Sequence, residues 1–514
     1  MRITDAMLRN TFLRDLFYNS QRTARVQDQM ASGRVVNQPS QDALVADQVI
    51  GLETQISRAA QYLRNGSAGS SFLSLADSAL GNGNSLAVSA RTLAVQMAND
   101  TVNATMRSGA ATETQQLLEQ AVEIANRRFR GRFIFGGLET TREPFEITAD
   151  GVLYHGDLGH TSVPMSDNAA NQINVNGADA FGAFDARMAG TVDLDPALDL
   201  APDGTRLTDL NRGAGVSPGA ISMTYGAVPR TVTVDLSGAE SLEDVKALIE
   251  SATTKAGLLV TVGVDGTGHA LTFSTPVTVR ELNGNTTARD LGILGPGVST
   301  GLDIDPVVTP LTKISSLLHG GLLPPAGFTV TNGSGSVTIT PADLAGTVQD
   351  LLTKLNNSAA NVCAEISADG KHLNVYSRLN GPSMKITGAT ATGLGIATAP
   401  AGVRADNLFT ALIDLRDALA ANDRDATAVT IGTLDSSIDQ LLRARAEVGA
   451  RVQRFEATNQ RQTDDSTNLT KLLSEINDVD YAKAATDFQQ LQNVLQASLR
   501  MAAQALPMSL ADFL

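Results

Sequence analysis

Apolar and small residues recur alternately three and four apart in long stretches at both ends of the chain, with short alternating runs between them. Val49, Leu52, Ile56, Ala59, Leu63, Gly66, Ser70 and Leu73 follow the spacing of one face of a coiled-coil-like helix. The pattern restarts at Leu86, Ala90, Leu93 and Met97, and after an Asn/Thr-containing connection it returns as Leu118, Val122, Ala125 and Phe129. The C-terminal end mirrors this. Leu434, Ile438, Leu441, Val448, Val452 and Phe455 form one stripe, and Tyr481, Ala484, Phe488, Leu491, Leu495, Ser498, Ala502 and Ala505 another. Between the two, EINDVDYAKA offers Asn477 or Asp478 as the N-cap of a fresh helix. Near the start, MASGRVVNQPSQDALVADQVI interrupts a helix-like stretch with Gly33, Asn37 and Pro39 before the apolar pattern resumes. Both ends are therefore broken alike, into a terminal segment of about 35 to 40 residues, a break, and longer helices.

Residues 151–400 differ in kind. Runs such as RTVTVDL, LVTVGV and ALTFS alternate with Gly, Asn, Asp and Pro turns, as in β-rich domains. A repeat lies within them. TDLNRGAG, TVTVDL, SLEDVKALI, LLVTVGVDGTGHALTFS and DLGI recur in order as SSLLHGG, SVTITP, TVQDLLTKL, NVCAEISADGKHLNVYS and GLGI, offset by roughly 105 residues. Each copy reads as a strand, one helix, a hairpin turning at VDGTG or ADGK, and a closing strand. The expected fold is thus multidomain: long N- and C-terminal helices pairing into a helical rod, with two small α+β modules inserted between its halves. The boundaries expected are 1–40 with 476–514 for the terminal helices and 41–150 with 401–475 for the rod. A β-rich connection covers 151–205, and the modules 206–300 and 301–400.

Composition narrows the function. Apolar residues make up 42% of the 514, but aromatics only 4% with no Trp, which is poor material for deep ligand pockets. The net charge is −15, and a nucleic-acid partner, which would need a local basic patch overriding it, is not expected. The single cysteine, Cys363, excludes an internal disulfide framework and a Cys-rich metal site. The opening residues hold no uninterrupted apolar run of the secretory kind, and no stretch of 18 apolar residues occurs, so neither Sec export nor membrane spanning is expected.

Candidate chemistry is sparse. YHGDLGH brings His155, Asp157 and His160 within six residues, but its glycines read as a tight loop and no third well-placed ligand is evident. His269 and His372 sit at equivalent places beside the repeated DG turns, which shared ancestry of the modules explains. Cys363 falls in an expected strand and reads as a small buried hydrophobe. No phosphate-binding loop, nucleophile elbow or HExxH pair is present. No catalytic residue, cofactor or metal is expected. A secreted adhesin or enzyme with its business in the insert would instead require a formed pocket or a metal within 151–400.

The ends carry more information. Ile3, Met7, Leu8, Phe12, Leu13, Leu16 and Phe17 spread around more than one face, and a helix apolar on several sides wants neighbours on several sides. MRIT with MASGRVVNQPSQDA, then GRFIFGGLETTREPFE followed by VLYHGD, then AEVGARVQRFE with INDVDYAKAATDFQQLQNVLQASLRMAAQALPMSLADFL, together resemble the flagellin superfamily. Within it they are most similar to the FlgL-type hook-associated proteins. The repeated insert resembles the small flagellin-type modules of other axial proteins.

The resemblance implies a structural adaptor, not an enzyme. The terminal segments would pair as a helical layer lining the channel of the axial structure, be largely disordered in the free monomer, and fold on assembly. Gly33 to Pro39 would be the joint between that layer and the next domain: Gly33 permits a turn, Pro39 disfavours helix at Gln38, and Ser40 or Asp42 caps the new helix. The implied partners are other copies of the chain in a ring, the first hook-associated protein (FlgK) on the hook side, flagellin on the filament side, and a flagellar export chaperone. The implied location is the extracellular flagellum, reached through type III export without a cleaved signal. The alternative is flagellin itself, which carries an N-S-A-K-D-D-A-like sequence where this chain has NQPSQDA. The residues expected to become buried on assembly are Leu13, Phe17, Phe488, Leu491, Leu495, Leu499 and Leu506.

Overall fold

The computed structural model describes residues 5–202, 204–226, 229–318, 323–324 and 326–511, with the side chains of the terminal helices described between 10 and 501. Its long helices are α1 (Asp5–Ser32), α2 (Ala43–Met97), α3 (Ala104–Ala125), α4 (Leu242–Lys255), α5 (Val348–Asn356), α6 (Leu408–Ala420), α7 (Arg424–Asn477) and α8 (Tyr481–Ala511). Long helices thus stand at the two ends and strands between them, as the periodicity predicts. The chain divides into two compact units: residues 1–73, 162–173 and 450–514, and residues 74–161 and 174–449.

In the first unit α1 lies along α8, and residues 43–73 of α2 along the part of α7 that follows residue 450. Two glycines of the predicted seam region set the second contact. A Cβ on Gly66 would overlap the Asn459 side chain, and one on Gly69 would stand 2.5 Å from the Phe455 ring. Their absence lets Phe455 sink to 1% exposure. A hairpin of Ser162–Ser166 and Ala169–Gln172 closes over this pair. Tyr62 donates its hydroxyl to Asp167 at 2.7 Å, and Asn65 and Gln462 donate to the carbonyls of Pro164 and Met165.

In the second unit α3 and α6 pack along each other, and Leu80, Leu118, Leu412, Leu415, Leu419, Leu434 and Leu441 are buried. The apparent restart at Leu86 is no break, since α2 runs on through Gly81, Asn82 and Gly83. There a Cβ on Gly83 would meet Phe181 and Leu441 only at 3.6 to 3.9 Å, and the helix carries through despite the roughly 1 kcal/mol that a mid-helix glycine costs. Asn103 caps α3 by accepting from the Met106 amide. Buried Arg107 then donates to the carbonyls of Met97 and Asn99 and to Asn422, tying two helix turns together.

The modules repeat in structure. In the first, strands Ala220–Tyr225 and Arg230–Asp235 form a hairpin, α4 follows, and Val262–Val264 returns beside Leu271–Glu281, with Gly295–Thr300 on the far edge. In the second, Phe328–Asn332 and Gly335–Ile339 form the hairpin, α5 follows, and Val362–Ile366 pairs Leu373–Ser377. Each copy thus has one more strand before its helix than the repeat suggests. Both helices open with the same capping box, Ser241 with Asp244 and Thr347 with Asp350. The copies differ in their sheets: the continuous strand Leu271–Glu281 of the first corresponds in the second to the separate strands Leu373–Ser377 and Met384–Thr387. The strand Arg187–Ala189, which precedes the first module in sequence, pairs Leu373–Ser377 and so completes a sheet of the second. Each module has its own core, around Ile221, Val245, Ile249 and Leu271 in one, and Val330, Val348, Leu351 and Val375 in the other.

Candidate assembly interface

The two breaks predicted from the sequence clasp each other. Gly33 ends α1 in the left-handed conformation, φ +74°, with its amide bonded to the Gln29 carbonyl at 2.8 Å. The chain then runs beside the end of α7. The Val35 amide donates to the Asn477 carbonyl at 2.6 Å, the Val36 amide to the Asn477 side-chain oxygen at 3.2 Å, and the Val479 amide to the Gly33 carbonyl at 3.0 Å. Arg34 and Asp478 form the β-bridge at the centre. Asn477, 4% exposed, thus satisfies two amides of the opposite break, while the Gln29 side chain donates to the Val35 carbonyl at 2.7 Å. The amides and carbonyls left over where helices stop are paired with each other rather than with water.

The capping roles fall differently from the expectation at two positions. Pro39 occupies the second position of a turn closed by the Gln41 amide on the Gln38 carbonyl at 2.9 Å, and Ser40 the third, so Ser40 is used up in that turn. Asp42 is the cap of α2, accepting from the amides of Leu44 and Val45 at 3.1 Å each. At the other break Asp478 does not cap α8. It is held by the Ser474 hydroxyl and the bridge to Arg34, and the cap is Asp480, which accepts from the amides of Ala482 and Lys483 at 3.0 and 3.1 Å. The clasp explains the shift, because it carries the chain in extended form through Asp478 and Val479.

Beyond the clasp α1 and α8 bury little. No described side chain between residues 10 and 32 is buried, and in α8 only Ala484 and Leu491 are, among the described residues. Leu13, Phe17 and Leu499 are 49%, 67% and 50% exposed; Phe488 and Leu495 are half-buried. The side chain of Leu506 lies outside the described residues.

The glycine-rich stretches from 131 to 159 build a second local structure. Strands Phe145–Ile147, Val152–Tyr154 and Leu379–Asn380 form a small sheet. Phe135, Phe145, Tyr154, Phe181 and Phe409 meet beside it, neighbouring rings 4.9 to 5.7 Å apart. The Tyr154 hydroxyl donates to the Phe135 carbonyl at 2.9 Å and accepts from the Gly177 amide at 3.0 Å. Burial pushes its phenol well above the ordinary value. Asn126 holds the backbone of Phe145 by both its amide and its carbonyl. In YHGDLGH, Asp157 accepts from the amides of Leu138 and Gly159, and His155 lies 2.7 Å from Glu146, so the stretch folds as a loop around the motif's own backbone. His269 lies between Asp195 and Asp303, and His372 against the Val192 carbonyl, both beside the hairpin turns. Cys363 is half-buried, and burial raises its thiol pKa.

The two ends of the chain are thus paired terminal helices joined at a clasped double break. Residues 3–140 match the bacterial flagellin N-terminal helical region, and residues 431–514 match the bacterial flagellin C-terminal helical region. Both ends of the chain are thus similar to the helical regions of bacterial flagellin.

The chain is also similar to flagellar hook-associated protein 3. The protein of that name from Salmonella typhimurium is 27% identical over 187 residues, 36% of this chain and 58% of that protein. The one from Escherichia coli is 25% identical over 275 residues, 48% of this chain and 85% of that protein. A crystal structure of hook-associated protein 3 from Legionella pneumophila aligns over 83% of this chain and 98% of its own, at 16% identity and a TM-score of 0.37.

Proposed function

We propose that this protein is the structural adaptor at the hook–filament junction, polymerising through its terminal helices and seeding the flagellin filament. The observation that carries this reading is the pair α1 and α8. Both lie in flagellin helical regions, are locked together at the clasp, and leave Leu13, Phe17 and Leu499 open to water. Such a helix pair gains most of its stability from further copies, so it folds fully on assembly.

In this reading, Leu13, Phe17, Phe488, Leu491, Leu495, Leu499 and Leu506 become buried between copies in a ring. FlgK contacts the ring on the hook side and flagellin on the filament side, and no catalytic step is involved. The chain reaches the cell exterior through the flagellar export apparatus, guided by its chaperone. The insert modules face outward, where the surplus of acid in residues 151–400, 23 Asp and Glu against 13 Lys and Arg, is solvated.

Deletion of the gene tests the reading. Bare hooks with flagellin lost to the medium are expected. Bare hooks without flagellin in the medium would make the protein flagellin itself, and intact filaments would overturn both. Alanine at Leu491 and Leu495 together should abolish filament attachment; attachment left intact would remove these residues from the interface.

A further inference from the structure

Residues 127–132 hold Arg127, Arg128, Arg130 and Arg132, four positive charges within six residues of a chain whose net charge is −15. They sit on a hairpin in which Arg128 pairs Phe133 and Phe129 pairs Arg132. The two-residue turn is Arg130–Gly131, with φ of 51° and 82°, positive at both centres as a type I′ turn requires. Asn or Asp ordinarily fills the first of these positions, because a larger side chain pays roughly 1 kcal/mol there. An arginine at the tip is therefore not explained by the turn.

Two of the guanidinium groups lie over rings of the same hairpin. That of Arg128 lies over the Phe133 ring, 4.1 Å from its centre, and that of Arg130 over the Phe129 ring at 5.2 Å. Phe133 is itself buried, and the amides of Phe133 and Ile134 are bonded to the carbonyls of Thr140 and Arg127, so the hairpin is anchored at its base. Arg128, Arg130 and Arg132 are exposed at the surface. Arg128 has Glu143 at 3.6 Å and Arg132 the Thr140 hydroxyl at 3.3 Å; among the described residues neither Arg130 nor Arg132 is ion-paired.

We infer that this hairpin is a docking edge that takes hold of exposed carboxylates on a second copy of the chain. The inference rests on the junction reading above. Planar guanidinium groups held over aromatic rings suit carboxylates, which they bind through two parallel hydrogen bonds. Copies that each carry −15 repel one another, so a ring needs a local positive patch set against the acid of its neighbour. A contact between two unlike patches of one chain is the kind that builds rings and helical assemblies.

The test places a photo-reactive phenylalanine analogue at Phe129 of the full chain in flagellated cells, leaving all four arginines in place. Irradiation is expected to give a product of two copies of this 53.7 kDa chain, identified by peptide mapping. Adding Arg130→Gln and Arg132→Gln should lower its yield about tenfold, as loss of charge-assisted bonds predicts, with the unfolding midpoint of the purified chain unchanged. A product with another flagellar protein, no product, or a yield indifferent to the two substitutions would overturn the inference. If the variant fails to fold, the unsubstituted chain decides: its yield should fall as salt is raised, and a salt-independent yield overturns the ionic contact. A missing product alongside bare hooks in the deletion strain would remove the hairpin's role and leave the junction reading standing.

Discussion

The inserted modules and the terminal helix pair are built on opposite plans. Each module encloses a core of its own, with Ile221, Leu271 and Ile249 in one and Val330, Leu351 and Val375 in the other fully buried. In α1 no described side chain between residues 10 and 32 is buried, although Leu13, Phe17 and Tyr18 lie within that stretch. The difference teaches where stability and assembly reside. A module can stand on the hydrophobic effect within one chain, whereas the helix pair is left with apolar area still to bury, which draws further copies onto it.

Substitutions at the two kinds of place should separate stability from assembly. The largest loss is expected for Phe145→Ala, which removes the ring shared by Tyr154, Phe181 and Phe409, at about 3–5 kcal/mol in urea unfolding. Leu351→Ala, inside the second module, should cost about 2–5 kcal/mol. A loss under 1 kcal/mol at either site would mean that the core is less complete than its burial indicates.

Gly33→Ala tests the clasp. The left-handed conformation at this residue should cost about 1–2 kcal/mol, and the new Cβ would press on the Tyr481 hydroxyl 3.1 Å away. Amide hydrogen exchange should speed up in α1 and α8 while the modules keep their protection. Equal acceleration in the modules would break the contrast between the two regions.

The duplicated capping box sharpens the comparison within the modules. Ser241→Ala and Thr347→Ala should each cost about 1 kcal/mol, and nearly the same amount, because each removes a hydroxyl that accepts from the amide of the third helical residue and donates to its carboxylate, leaving the cap's own backbone bond in place. These carboxylates also set a pH response. Hydrogen bonds from the Glu240 and Ser241 amides hold Asp244 below its ordinary value, and those from Thr347 do so for Asp350. The Lys354 ammonium and the Thr340 hydroxyl hold Asp343 down to about 2, against an ordinary 3.8. Groups so depressed stabilise the fold above their unfolded pKa and lose that contribution as pH falls through the folded one. The urea midpoint should therefore fall between roughly pH 4 and pH 2, and Asp343→Asn should flatten part of that fall.

The smallest effect on the isolated chain is expected for Phe17→Ala and Leu499→Ala, within about 0.5 kcal/mol, since at least half of each residue's surface already faces water. The same variants should shed filaments when expressed as the only copy, counted by electron microscopy. A large loss of stability in the free chain would place these residues in the protein's own core instead.

Much of the architecture was legible because it is written in local periodicity. Every member of the seam from Val49 to Leu73 is buried or half-buried, and the repeat in the middle announced two related modules. Local chemistry likewise marked both breaks: a glycine that must be left-handed, and a proline that can open a turn but not sit within a helix. The caps were harder to place. Ser40, Asp42, Asp478 and Asp480 are all acceptable N-cap residues, and which of them caps depends on where the extended segment stops. That stop is set by hydrogen bonds between residues 33–36 and 477–479, more than 440 positions apart.

The chain by itself determined its helices, its turns and its repeat, because side-chain spacing and backbone preference act over a few residues. Only the tertiary structure decided that α2 continues through Gly81 and Gly83, that Arg187–Ala189 joins the sheet of the second module, and that Asn477 bridges the two breaks. Each of these depends on a partner distant in sequence, whose packing or hydrogen bonding outweighs what the local residues prefer.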